Sequence, residues 1–192
     1  MTALPQQRPR RLSADEFAAL PEDSGARYEL QEGAVVMSPR PLPVHQRCVR
    51  ELGSVLSAQC PAELEVLPEV DVDLELVAPG RPGFVRAPDL VVVSRAALRR
   101  VGAEGGVIRA SEVLLAVEVL SPVTRRTDTV VKHGEYADAG IPDYWMLDLE
   151  DGVALTAAHL AGEFGYADAA PVRGTFTADR PFPARLDLDS LV

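Results

Sequence analysis

The chain is poor in cysteine, in aromatic residues and in positive charge, and none of its apolar runs is long. Two cysteines in 192 residues, Cys48 and Cys60, make no disulfide framework, so a reducing, cytoplasmic setting is expected. No apolar stretch reaches the ~18 residues of a membrane span. Met1 to Arg11 is rich in Pro, Gln and Arg without an apolar block, which is not a secretory signal. Lys and Arg number 19 against 29 Asp and Glu, giving a net charge of −10. A general nucleic-acid coat protein would be basic and is excluded. An enzyme that grips nucleic acid through a small local site and metal ions is not. There is no G-x-G-x-x-G and no P-loop, which sets aside dinucleotide and nucleoside-triphosphate binding. The three histidines and two cysteines show no ligand spacing, which argues against a soft-metal site.

What is present is a core. At 47% hydrophobic and 25% charged residues, the chain can bury most of its apolar surface, and disorder is excluded as the main state. Residues 1–10 read as a flexible arm and 11–192 as a single domain. Ser13 and Glu16 form a capping-box pattern for a helix to Leu20. Arg27 to Met37 reads as a hairpin turning at Glu32-Gly33. From Pro43 to Gln59 a helix is expected, with Leu42, His45, Val49, Leu52 and Leu56 forming its apolar stripe. Glu69 to Val77 alternates as a half-buried strand. Leu90 to Val93 and Glu112 to Leu120 are apolar runs that suit interior strands. A helix from Thr124 or Asp128 to Ala139 follows, closed by Gly140 and Pro142. Tyr144 to Leu149 and Val153 to Leu160 flank the turn signal Asp151-Gly152. Short edge strands and loops are expected from Phe164 onward. The order predicts an α/β fold with a mixed central sheet flanked by helices.

Glu118 is out of place in its apolar strand. An ionised carboxylate there costs several kcal/mol unless something compensates it. It either reaches solvent, pairs with an arginine such as Arg125, or belongs to a site. Asp89 opens the Leu90–Val93 strand directly after Pro88, where a plain turn aspartate is common. Together, two acids at the ends of two apolar strands can converge on a hard divalent cation such as Mg²⁺. The main-chain carbonyl of Val119 could be a third ligand. Lys132 shares a helix face with Asp128 and Tyr136; it is either an exposed partner of Asp128 or an amine turned over the sheet edge. His45 is either a core histidine or an active-site residue. Glu29 is either a solvated strand residue or a further carboxylate of the cluster. Arg125 and Arg126, past Ser121-Pro122, either hold a phosphate or are solvated.

The chain resembles the Uma-two family of endonucleases with the restriction-endonuclease-like PD-(D/E)XK fold. The likeness is carried by Arg27-Tyr28-Glu29-Leu30 with Gly33, His45-Gln46, Pro88-Asp89-Leu90-Val91-Val92 and Val117-Glu118-Val119-Leu120-Ser121-Pro122. Lys132 with Tyr136, and Ala139-Gly140-Ile141-Pro142-Asp143-Tyr144-Trp145, complete it in order. The resemblance implies that Asp89 and Glu118 are the metal-binding acids. The usual lysine, two residues after Glu118, is replaced by Leu120, which points to Lys132 from the next helix. Glu29 would be an extra acid near the metal, and His45 a further active-site residue.

The expected activity is Mg²⁺-dependent hydrolysis of phosphodiester bonds in nucleic acid, DNA foremost, with Mn²⁺ as a possible substitute. Lys132 would stabilise phosphoryl charge and, with a depressed pKa, act as base. A homodimer is expected, since it would concentrate the arginines. The rival readings are a catalytically silent domain of the same fold that binds a partner, and a metal-dependent hydrolase of another phosphate ester.

Overall fold

The computed structural model describes residues 10–21, 27–38 and 40–192. The arm expected over 1–10 lies outside these, Arg10 excepted. Helix α1 (Ala14–Ala18) starts on Ser13, whose side chain accepts the Glu16 N–H while Glu16 returns to the Ser13 N–H. Strands β1 (Arg27–Gln31) and β2 (Ala34–Ser38) form the expected hairpin, with Glu32 and Gly33 both at positive φ. Helix α2 (Pro43–Gln59) buries His45, Val49, Leu52 and Leu56 as its stripe requires, and Cys48 beside them. Leu42 differs: it is the N-cap and 56% exposed, because the stripe begins only one turn inside the helix.

Then come β3 (Leu64–Pro68), β4 (Val72–Asp73), β5 (Val85–Arg86), β6 (Leu90–Ser94), helix α3 (Arg95–Glu104), β7 (Ile108–Arg109) and β8 (Val113–Leu120). A wide π-helical turn, Thr127–Lys132, runs directly into α4 (His133–Asp138). The chain closes with β9 (Asp143–Asp148), β10 (Ala154–Leu160), β11 (Tyr166–Asp168), β12 (Thr175–Ala178) and β13 (Ala184–Asp187). The β9–β10 turn is made by Asp151 and Gly152, both at positive φ.

A six-stranded mixed sheet, order β11-β10-β9-β8-β6-β3, forms the centre. Only β8 and β9 run parallel; their connection contains the π-turn and α4. One face of the sheet, with Leu90, Val92, Val117 and Trp145, packs on α2 and on Phe176 and Leu186 of the β12–β13 hairpin. The other face, with Val91, Val93, Ala116 and Tyr144, packs on α3, on Tyr136 of α4 and on Val72 and Leu74. A second sheet, order β2-β1-β5-β4-β7, lies on this side. Both faces of β6 and β8 are covered, which is why their sequences are almost unbroken apolar runs.

Two expectations are corrected, and one helix was not anticipated. The strand read over Glu69–Val77 shrinks to Val72–Asp73, because Glu69 and Glu75 adopt φ of 51° and 54°, which breaks extended pairing. Val72 and Asp73 still pair with Arg86 and Val85, while β3, one step upstream, pairs with β6. Helix α3 follows β6 without a break, capped by the Ser94 side chain accepting the Ala97 N–H. The helix after β8 opens as a π-turn rather than an α-helix. Among the described residues no helix is long and apolar enough to cross a membrane.

Candidate active site

The β6–β8 ladder ends where the chemistry begins. Leu90 pairs with Val117, so Asp89, one step beyond the ladder, stands opposite Glu118 on the neighbouring strand. Glu118 turns toward the α4 side, while Asp89, in the bend before β6, reaches His45 of α2, and its Oδ2 accepts the Val119 N–H at 2.7 Å. Val119 thus spends its N–H on a side chain, since β6 has ended beside it.

Lys132 comes from the π-turn to meet them. Its Nζ lies 2.8 Å from Glu118 Oε1, 3.1 Å from Glu29 Oε1 and 3.6 Å from Asp128 Oδ1. Tyr136, one turn on, donates its hydroxyl to the same Glu118 oxygen at 3.0 Å. The expected helix face of Asp128, Lys132 and Tyr136 is real, but it is buried. Glu29 reaches in from β1, accepting the Ala87 N–H at 3.2 Å and Arg86 Nη1 at 2.9 Å. His45 Nε2, from the first turns of α2, is 3.1 Å from Asp89 Oδ2. These groups wall a cavity of about 220 Å³ that Arg27, Arg40 and Thr124 also line.

The electrostatics follow from burial and from sharing. Burial alone would raise Glu29, but Lys132 and Arg86 outweigh it and hold the carboxyl below the usual range. Asp89 behaves alike: His45, the Val119 N–H and Arg27 overcome its burial. Glu118 goes the other way. Burial raises its proton affinity, Asp89 and Asp128 add to the rise, and Lys132 offsets only part. One ammonium shared among three carboxylates cannot satisfy them all. Lys132 is held above the ordinary lysine range by Glu118, Glu29 and Asp128, against its burial. The direction is opposite to the depressed lysine pKa that the role of base would call for. His45 is raised by Asp89 despite burial, and its Nδ1 is buried without a hydrogen-bond partner among the described residues.

Arg125 and Arg126 do not join this site. Arg125 makes a two-point contact with Asp148 at 2.7 and 2.9 Å and reaches Glu150 at 3.0 Å. Arg126 is exposed, and neither lines the cavity. The arginines that do line the cavity are Arg27, with Nη1 3.4 Å from Asp89 Oδ1, and Arg40. Arg86, 2% exposed, was not singled out from the sequence either; it ties Glu29 to Glu135 of α4 at 2.7 and 2.8 Å. Glu135 carried one usable signal, its place three residues after Lys132 on the same helical face. Arg86, between Val85 and Ala87, carried none.

Asp89, Glu118 and Val119 line one cavity, and oxygen donors of this kind would suit a hard divalent ion. Among the described residues no group of three or more His, Cys, Asp or Glu side chains is arranged to hold a metal. An ion here would take two carboxylates and complete its shell with main-chain oxygen and water, the habit of Mg²⁺.

A mixed sheet with two acids at the ends of adjacent strands, and helices on both faces, defines the restriction-endonuclease-like fold class. The model of the Uma2 family, described as "Putative restriction endonuclease", matches residues 14–168, and the chain belongs to that family. Its fold is similar to a crystal structure from Anabaena variabilis ATCC 29413 described as a "putative nuclease belonging to DUF820". That likeness has a TM-score of 0.67 and 19% identity, and covers 94% of this chain and 97% of the other. No curated protein matches.

Proposed function

We propose that the protein is a metal-dependent endonuclease that hydrolyses phosphodiester bonds of nucleic acid, DNA foremost. The observation that carries this reading is the meeting of Lys132 with Glu118, at 2.8 Å, in the cavity that Asp89 also lines. Asp89, Glu118 and the Val119 carbonyl would hold Mg²⁺ or Mn²⁺. Bound there, the ion would supply Lewis-acid charge and a more acidic water. Lys132, kept protonated by its carboxylates, donates to a phosphoryl oxygen and stabilises the charge that gathers on it. Glu29 fixes the lysine, and Arg86 and the Ala87 N–H fix Glu29. His45 and the Val119 N–H orient Asp89. Arg27, at the cavity wall, takes the phosphate-binding role first given to Arg125 and Arg126.

A second reading has one observation in its favour. Lys132 pairs with Glu118, Glu29 and Asp128, and such pairing also serves to neutralise buried acids in a silent nuclease fold that only binds a partner. One experiment separates the two. Plasmid, single-stranded DNA, RNA and small phosphate esters are incubated with the protein in Mg²⁺, Mn²⁺ or chelator. We expect cleavage of nucleic acid only with metal, and none from Asp89→Ala or Glu118→Ala variants whose circular dichroism matches the parent. Variants that cut as well as the parent sink the mechanism. A parent that neither cleaves nor binds Mn²⁺ favours the silent fold.

A further inference from the structure

We propose that the strand entering this site is unpaired: the substrate class is single-stranded nucleic acid, or a locally melted strand, laid along a groove that opens from the cavity. The catalytic consequence rests on the nuclease reading above; the binding does not. The groove, of about 1200 Å³, shares Arg27, Ser38, Arg40 and Pro41 with the 220 Å³ cavity, so the two are continuous.

Three observations point the same way. The first is recess. Asp89, Glu118 and Lys132 are 4%, 3% and 6% exposed. A duplex is a stiff rod that carries its phosphates on a convex surface, with the bases turned inward. A single strand bends far more easily and brings one phosphate to a recessed pocket at less cost. The second is the lining. Tyr28, Leu20, Val35, Leu98 and Val101 give the groove an aromatic and aliphatic wall, with Leu20 and Val35 45% and 44% exposed. Such a wall suits the faces of unstacked bases, which a duplex hides.

The third is charge. The chain carries −10 overall, and duplex affinity comes mainly from many neutralised phosphates. Here the cations at the junction are Arg27 and Arg40. Glu69 and Asp71 lie on the same wall and offset these cations, Glu69 meeting Arg27 at 3.3 Å and Gln46 at 3.2 Å. Base contacts must supply what charge does not.

The test is fluorescence anisotropy of a labelled oligonucleotide, single-stranded or annealed to its complement, with the intact protein in chelator so that binding is read without cleavage. The single strand is expected to bind at least about tenfold more tightly than the duplex. Tyr28→Ala should lower single-strand affinity by about tenfold, the scale of one lost base stack. Val35→Glu, an exposed change that spares the fold, should do the same by repelling the backbone. Duplex binding equal to or tighter than single-strand binding overturns the proposal, as does no binding of either. So does parent affinity in Val35→Glu. Single-strand preference without any metal-dependent cleavage leaves the groove standing and removes the nuclease reading instead.

Discussion

Lys132 is where several demands meet, and its variants separate them. Its amine neutralises buried carboxylates and also stands where phosphoryl charge would gather. Lys132→Met leaves those carboxylates without a cation and should lower unfolding free energy by about 3–5 kcal/mol in urea. Lys132→Arg keeps the charge but not the compact ammonium. It should retain more stability than the methionine variant while losing cleavage by about 100-fold or more. Equal activity in the arginine variant would show that position is not critical. His45 acts through Asp89. His45→Ala should lower Mn²⁺ affinity by about 10–100-fold in a calorimetric titration, as the loss of an outer partner of a metal ligand does. Unchanged affinity would return His45 to a purely structural role.

At the scale of elements, the buried Arg86 ties the small sheet to helix α4. Its guanidinium bonds Glu29 on β1 and Glu135 on α4 from a strand only two residues long. Arg86→Met should cost about 3 kcal/mol, because the buried Glu29 loses one of its two cations and the half-buried Glu135 loses its guanidinium partner. Adding Glu135→Leu should restore part of that loss, measured by the same denaturation. The π-turn does related work. Asp128 and Lys132, four residues apart on it, are both buried, and such turns recur at functional sites. Residues four apart were legible as one helix face. That this face would be buried was not, since the acids it meets come from β1 and β8, far away in sequence.

At the scale of the whole molecule, the acidic balance sets how the protein would hold nucleic acid. With three phosphate contacts, through Arg27, Arg40 and Lys132, the slope of log affinity against log salt for a single strand should be about −2.1. A slope several times steeper would place binding on a wide basic surface elsewhere. The local elements were readable from the chain alone. The capping box of α1, the stripe of α2, the apolar runs of β6 and β8 and the Asp151-Gly152 turn depend on short-range periodicity and backbone preference, and the fold class follows from their order. Glu118 stood out because a lone acid in an apolar run violates that periodicity. Folding alone decided that Glu69 and Glu75 turn out of the extended region, that Arg86 is buried, that Arg125 is taken by Asp148, and that Lys132 is shared among three carboxylates. Each of these depends on which distant segments share one low-dielectric space, and spacing along a chain does not carry that information.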